Sequence, residues 1–266
     1  MAKITKITVQ KKAGRYNIYL NGKFAFPVSE EVLIKYRLLK GVELNKQQVA
    51  TVKHADHQSK VYSRALDYLS YQPRTAAEVE KKLTDLEATP NQIATVLERL
   101  KRERLVDDQQ YAKSYVRTMV NTSLKGPHVI SQKLRQKGVN PLDIEAGLTE
   151  FSTEQQEANA RKLANKLYRR YHRQAARQRR QKVEQSLATH GYGFDLARQV
   201  AGETEPAVSV DEQHDLMVAE AEKAWQKYRR YQGRDRDQRV LRRLYAKGFD
   251  LDEVKNWLEN HQEGLS

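Results

Sequence analysis

The chain has 266 residues, of which 39% are hydrophobic and 31% charged, enough for one large domain or several small modules and unlike a disordered composition. With no cysteine, a disulfide scaffold and a thiolate metal site are excluded, and no apolar run approaches the ~18 residues of a membrane span. Lys and Arg number 48 against 34 Asp and Glu, and the resulting charge of +14 suits a polyanionic partner.

The opening residues hold no apolar run of signal-peptide length, so a cytoplasmic location is expected. "ITKITV" at 4–9 is β-branched, yet neither of its alternating faces is purely apolar. "YNIYL" at 16–20 and "KFAFPV" at 23–28 read as strands, joined by Asn21-Gly22, the pair that a type I′ hairpin turn favours. Ala13-Gly14 marks an earlier turn, and Pro27 suits a strand end. A three-stranded antiparallel sheet is predicted. Ser29 then caps a helix with Glu30 and Glu31 in its first turn, a stripe of Val32, Leu33, Tyr36 and Leu39, and Gly41 at its end. Residues 1–45 form this first region.

From about residue 45 the apolar period becomes helical. Anchor leucines Leu83, Leu134, Leu187 and Leu244 are spaced by 51, 53 and 57 residues, and a glycine follows the last three at the fourth position: Gly138, Gly191 and Gly248. A glycine just past a helix end takes the left-handed conformation that stops it. Thr89-Pro90 and Asn140-Pro141 then read as an N-cap and first helical residue. Ile93, Ile144 and Val254 lie ten residues after their anchors, and Leu97, Leu148 and Leu258 fourteen after; the third copy fits with a one-residue slip onto Leu196 and Val200. Each anchor helix is preceded by a longer one. Their stripes are Val61, Ala65, Leu66 and Leu69; Tyr111, Ala112, Tyr115, Met119 and Val120; Leu163, Leu167 and Tyr171; and Ala221, Ala224, Trp225 and Tyr228. The fold class is therefore mainly α: tandem three-helix modules over 46–105, 106–151, 152–203 and 204–266, in an elongated array after the small sheet. The stretch 201–213 reads as a connection between the last two modules.

Thr75 and Glu78 have capping-box spacing, and Asp107 or Asp108 caps the next long helix. His54 and His57 lie three apart, but no further metal ligand accompanies them. Without a nucleophile elbow, a Walker lysine motif or a Rossmann glycine pattern, no catalytic residue, metal or cofactor is expected, and the chain is read as a non-enzyme.

The basic residues carry the functional signal. "LYRRYHRQAARQRRQKV" at 167–183 contains Arg169, Arg170, Arg173, Arg177, Arg179, Arg180 and Lys182 with no intervening acid. "KYRRYQGRDRDQRVLRR" at 227–243 contains Arg229, Arg230, Arg234, Arg236 and Arg239, with Asp235 and Asp237 interrupting. Both sit where the long helix ends and the middle one begins, interleaved with Tyr171, Tyr228 and Tyr231. Such a ridge suits phosphates or an acidic protein surface, or is a solvated arginine-rich face. Lys125, Lys133 and Lys137 of the second module are further candidate contacts.

"ALDYLSYQPRTAAEVEKKL" at 65–83 and "RLVDDQQYAKSYVRTMVNTSLKGPHVISQKLRQKGV" at 104–139, with the glycine-punctuated modules after them, resemble the RecX family of RecA regulators. The resemblance implies a cytoplasmic, non-enzymatic protein of tandem three-helix modules, and a monomer is expected. It also implies binding to the RecA filament on single-stranded DNA, suppression of recombinase, ATPase and coprotease activities, and weaker direct binding to DNA. The alternative is a general nucleic-acid-binding protein acting through its basic helical face.

Overall fold

The computed structural model describes residues 1–207 and 209–263. Strands β1 (Ala2–Val9), β2 (Arg15–Leu20), β3 (Lys23–Ser29) and β4 (Glu43–Leu44) form one antiparallel sheet in the order β3-β2-β1-β4. The fourth strand was not expected: two residues paired with Ala2 and Lys3 are too short to show a period. The mixed faces of β1 have a local cause. Its register with β2 shifts between Ile4 and Lys6, and this one-residue bulge brings Ile7 round to the core side with Ile4. Asn21 (φ 50°) and Gly22 (φ 81°) make the expected turn.

Helix α1 (Glu30–Lys35) starts at Ser29, whose hydroxyl accepts the Val32 amide, but it ends before Tyr36 rather than near Gly41. Val32, Leu33 and Tyr36 of the expected stripe pack in the core, but Arg37 takes φ 49°, which turns Leu38 into the core and leaves Leu39 exposed.

Helix α2 (Lys46–Leu69) serves two cores. Its first half places Val52 on the sheet, and its second half places Val61, Tyr62 and Ala65 in the first helical module. At mid-length the buried Asp56 accepts from Arg15 Nη2 at 3.1 Å and from the Ser29 amide at 2.8 Å, and pairs with Lys60 at 3.1 Å. Burial alone would raise its pKa. The hydrogen bonds from Arg15 and Lys60 outweigh burial and hold the carboxyl below its ordinary 3.8.

From Lys46 onward every regular element among the described residues is a helix. After α2 come α3 (Ala76–Thr84) and α4 (Pro90–Arg102), then α5 (Asp108–Thr122), α6 (Pro127–Gln136) and α7 (Pro141–Leu148). They are followed by α8 (Thr153–Arg170), α9 (Ala176–Thr189) and α10 (Phe194–Thr204), then α11 (Val210–Lys227), α12 (Gly233–Ala246) and α13 (Leu251–Glu263). The connection between α10 and α11 is shorter than 201–213, and its Val208 lies outside the described residues. All four anchor leucines are fully buried. The third module needs no slip: Ala197 and Ala201, ten and fourteen residues after Leu187, are both buried. They are small where the other copies carry Ile, Val or Leu, and the buried Tyr168 of α8 reaches across to donate to the Ala201 carbonyl at 2.8 Å. The described residues divide into two compact units, Met1–Ala112 with Leu134–Ile144, and Lys113–Lys133 with Glu145 onward.

Within each unit, consecutive middle helices meet at one kind of joint. The glycine past the C-terminus of one seats on the first turn of the middle helix of the preceding module. In the first unit a Cβ on Gly138 would overlap the Cβ of Ala77 on α3, and the Lys137 carbonyl accepts the Thr75 hydroxyl at 2.6 Å. Asp108, one of the two expected caps of α5, accepts the Ala76 amide at 2.8 Å instead, while Asp107 caps α5. In the second unit a Cβ on Gly191 would stand 2.6 Å from the Val129 amide of α6, and the Gly126 amide donates to the His190 carbonyl at 2.7 Å. A Cβ on Gly248 would lie 3.1 Å from the Gln178 amide of α9, and Gln213 accepts the Ala176 amide at 2.8 Å. All three glycines have φ between 78° and 97°. The corresponding residue of the first module is Glu87, also left-handed at φ 61° and exposed. The left-handed turn by itself therefore admits a side chain; the close approach at the joint requires glycine.

Two outcomes follow for stability. Replacing Gly138 by Ala adds left-handed strain of about 1–2 kcal/mol and forces Ala77 aside, for a total loss of at least about 2 kcal/mol in urea denaturation, while Glu87→Gly stays within about 1 kcal/mol of wild type. For Asp56, the lowered native pKa means its contribution is complete above 3.8 and is lost as pH falls through the native value. Asp56→Asn should cost about 3 kcal/mol at pH 7 by leaving Arg15 and Lys60 unpaired. In denaturation series from pH 7 to pH 3, the gap between variant and wild type should hold above pH 4 and begin to narrow below it.

Candidate nucleic-acid and partner interface

The basic segment of the third module folds as a corner. Helix α8 ends at Arg170, residues 171–175 turn, and α9 begins at Ala176. On α8, Leu163 and Leu167 face inward with Ala160, Ala164 and Tyr168, so Lys162, Lys166, Arg169 and Arg170 are left on the outer side. Arg173 and Arg177 continue this outward set across the turn. None of Arg169, Arg170, Arg173 and Arg177 forms an ion pair among the described residues. Arg170 and Lys182 both lie over the Tyr171 ring, at 5.9 and 5.8 Å from its centroid, which holds their charges beside an aromatic face. Lys162 and Lys166 were not singled out from sequence, although their spacing of four puts them one helical face below Arg169 and Arg170.

Arg179 departs from the expectation. It is only 5% exposed, with its guanidinium 5.6 Å from the centre of the Tyr168 ring and no hydrogen-bond acceptor within reach of Nε or Nη2. The sequence carried a signal for this: Arg179, Val183 and Leu187 recur every fourth residue on the buried stripe of α9. Burial also pushes the Tyr168 hydroxyl up to about 12, so that it remains a donor. Arg180 is outward but engaged, with Glu184 at 3.2 Å and Glu205 at 3.5 Å.

The fourth module repeats the corner 57 residues later. Arg236 stands where Arg179 does, ahead of Val240 and Leu244, and Trp225 stands where Tyr168 does. The Arg236 guanidinium lies 3.5 Å from the centre of the Trp225 ring and donates to the Trp225 carbonyl at 2.8 Å; burial lowers its pKa. Arg239 pairs with Asp235 at 3.2 Å and lies over Tyr231 at 3.8 Å. Arg229, Arg230 and Arg234 remain exposed, with Arg230 5.1 Å from the centre of the Tyr231 ring. Because Gly248 at the far end of α12 seats on α9 beside Arg177, the two corners are about one middle helix apart, roughly 20 Å.

The three lysines of the second module differ from one another. Lys133 is exposed on α6, and Lys125 is half-buried between α5 and α6. Lys137 is built into a joint, 2.8 Å from Glu78 and over the Tyr111 ring. Burial would lower its pKa, but the hydrogen bond to Glu78 prevails and keeps it above its ordinary value. This side chain holds modules together, and its charge is already matched. Among the described residues no three His, Asp or Glu side chains gather as a metal site, and no helix is long and apolar enough to cross a membrane.

Comparison with known proteins places these features in a family. The N-terminal domain of regulatory protein RecX matches residues 2–45, its first three-helix domain 62–100 and its second 107–148. Its third three-helix domain matches twice, at 154–201 and 211–258, which is the duplication seen in the paired corners. Regulatory protein RecX of Limosilactobacillus reuteri is 50% identical over 97% of this chain and 98% of its own length. That of Bacillus subtilis is 35% identical over 97% and 98%. A crystallised regulatory protein RecX superposes with a TM-score of 0.71 at 51% identity, covering 76% of this chain and all of that one. RecX from Lactobacillus salivarius gives 0.55 at 41%, covering 56% of this chain and 97% of that one. With its sheet, its three-helix modules and its near-full-length relatives in agreement, the chain belongs to the RecX family of regulatory proteins.

Proposed function

We propose that this chain regulates by binding: as a cytoplasmic monomer it docks on the RecA filament assembled on single-stranded DNA and suppresses recombinase, ATPase and coprotease activities. Membership in a family of regulatory proteins supports the regulatory role, and the family resemblance supplies RecA as partner. The observation that carries the contact is the α8–α9 corner, where Arg169, Arg170, Arg173 and Arg177 face outward with no acid paired to them among the described residues. Exposed arginines beside tyrosine rings suit a phosphate backbone, since each neutralised phosphate releases counterions. They also suit acidic groups on a protein surface. Lys133 and Lys182, with Arg229, Arg230 and Arg234 of the fourth module, extend the proposed contact. Arg179 is buried, Arg236 is half-buried against Trp225, and Lys137 belongs to a joint.

A second reading, binding to nucleic acid without a protein partner, draws on the same corner. One experiment separates the two. Reversing Arg169, Arg173 and Arg177 to Glu should leave the melting curve nearly unchanged, because exposed charges contribute little to stability. It should weaken binding to the RecA–DNA filament by at least tenfold and lower the salt slope on bare single-stranded DNA by about 2. The corresponding reversal of Arg230, Arg234 and Arg239 should do less, because Asp235 already offsets Arg239. Filament binding measured beside bare-DNA binding over a salt series decides between them. Wild-type affinity of the first variant for both ligands overturns the proposal, loss on DNA with unchanged filament binding puts the filament contact elsewhere on the chain, and an equal loss on both ligands favours the second reading.

A further inference from the structure

The second unit contains a cleft of 680 Å³ between the connection joining α5 to α6 and the outer face of α8. Lys125 lines it from the connection, Lys162 and Lys166 from α8, and His190 from the end of α9, with Ser123 and Gln155 adding neutral polar groups. No Asp or Glu is among its lining residues, and none of the three lysines forms an ion pair among the described residues. Three ammonium groups facing one hollow repel each other, and an anion placed between them relieves that cost.

The wall opposite α8 is fixed in place. The Tyr192 hydroxyl donates to the Leu124 carbonyl at 3.2 Å, the Gly126 amide to the His190 carbonyl at 2.7 Å, and the buried Asn159 side chain to the Val120 carbonyl at 3.0 Å. A competing role for the lysines is to neutralise the C-terminal end of α5. Two of the last carbonyls there are already satisfied, Val120 by Asn159 and Met119 by the Ser123 hydroxyl at 2.8 Å.

We propose that this cleft is a phosphoryl-binding site separate from the arginine corner. Its size falls within the ~300–1,000 Å³ usual for ligand sites. Lys162 and Lys166, four apart on α8, have Cβ atoms about 6 Å from each other, so their flexible stems can bring both charges to one phosphoryl group or to two neighbouring ones. Two sources share this chemistry: the backbone of a single nucleic-acid strand and a free nucleoside polyphosphate. The strand is favoured, because Lys162 and Lys166 lead along the outer face of α8 to Arg169 and Arg170, a track of about 12 Å. For that source the inference rests on the nucleic-acid contact proposed above.

The test is an amide-resolved NMR titration of the full chain with a thymidine hexanucleotide and, separately, with ATP in the absence of metal. Wild type and Lys162→Gln/Lys166→Gln are compared, with the Arg169, Arg173 and Arg177 reversal in parallel. The expected result is shifts at 123–126 and 162–166 in wild type, with affinity at least tenfold weaker in the lysine variant and its remaining spectrum unchanged. A response to the hexanucleotide alone assigns the site to a strand, and a response to ATP assigns it to a free nucleotide. The proposal is overturned if neither probe shifts these amides, or if the lysine variant binds as wild type does. A lysine variant that loses melting temperature while keeping its affinity also overturns it, in favour of the α5 role. If the cleft is silent while the arginine reversal still releases the filament, only the cleft proposal falls.

Discussion

The structure depends on how closely two backbones approach at each joint between modules. A middle helix is too short to bury its own ends, so the chain uses the end of one to cover the start of another. The C-terminal turn must be left-handed to stop the helix, and the residue there must have no side chain because the next backbone lies against it. Once that contact is made, polar groups around it find partners that sequence-local capping does not supply. Thr75 and Asp108 find partners at one joint, and the Gln213 side-chain oxygen finds one at another.

This constraint also places the charge. Each long helix runs into its middle helix through a short turn, and that turn lies beside the start of the middle helix, where the following module docks. A basic corner built there in one module recurs in the next at the distance of a middle helix. The arginines at these corners divide between two tasks. Those on the inner stripe put the guanidinium over an aromatic ring, the buried Arg179 over Tyr168 and the half-buried Arg236 over Trp225. Those one or two positions away face outward. Arginine serves both because its charge is spread over a plane that stacks as well as it pairs. The same segment can therefore brace the module and keep a cationic face on its outer side.

The N-terminal region follows a different logic. Its sheet is small, and α2 compensates by running through both the sheet core and the first helical module. The Asp56 carboxylate in the middle of that helix ties Arg15 of β2, the Ser29 amide and Lys60 to one point. A buried carboxylate with several donors is a specific way to set the angle of a helix on a sheet, because every donor must arrive at once.

Periodicity, caps and glycine punctuation in the sequence were enough to determine the helical repeat, the anchor leucines, the Asn21-Gly22 turn and the start of α1, since each depends on residues within a turn or two of one another. The outer arginines were legible as a charge cluster for the same reason. What the tertiary structure decided is everything that depends on a distant neighbour. The β1 bulge, set by pairing with β2, scrambled an alternation that the strand alone cannot reveal. The two-residue β4 has no pattern of its own. Arg179 reads as a ridge residue by type and as a core residue by position, and only the Tyr168 ring decides between them. Lys162 and Lys166 became notable once the α5–α6 connection stood opposite them. Glu87 and Gly138 take the same backbone conformation, and the neighbour packed against Gly138 is the reason that one position tolerates a side chain and the other does not.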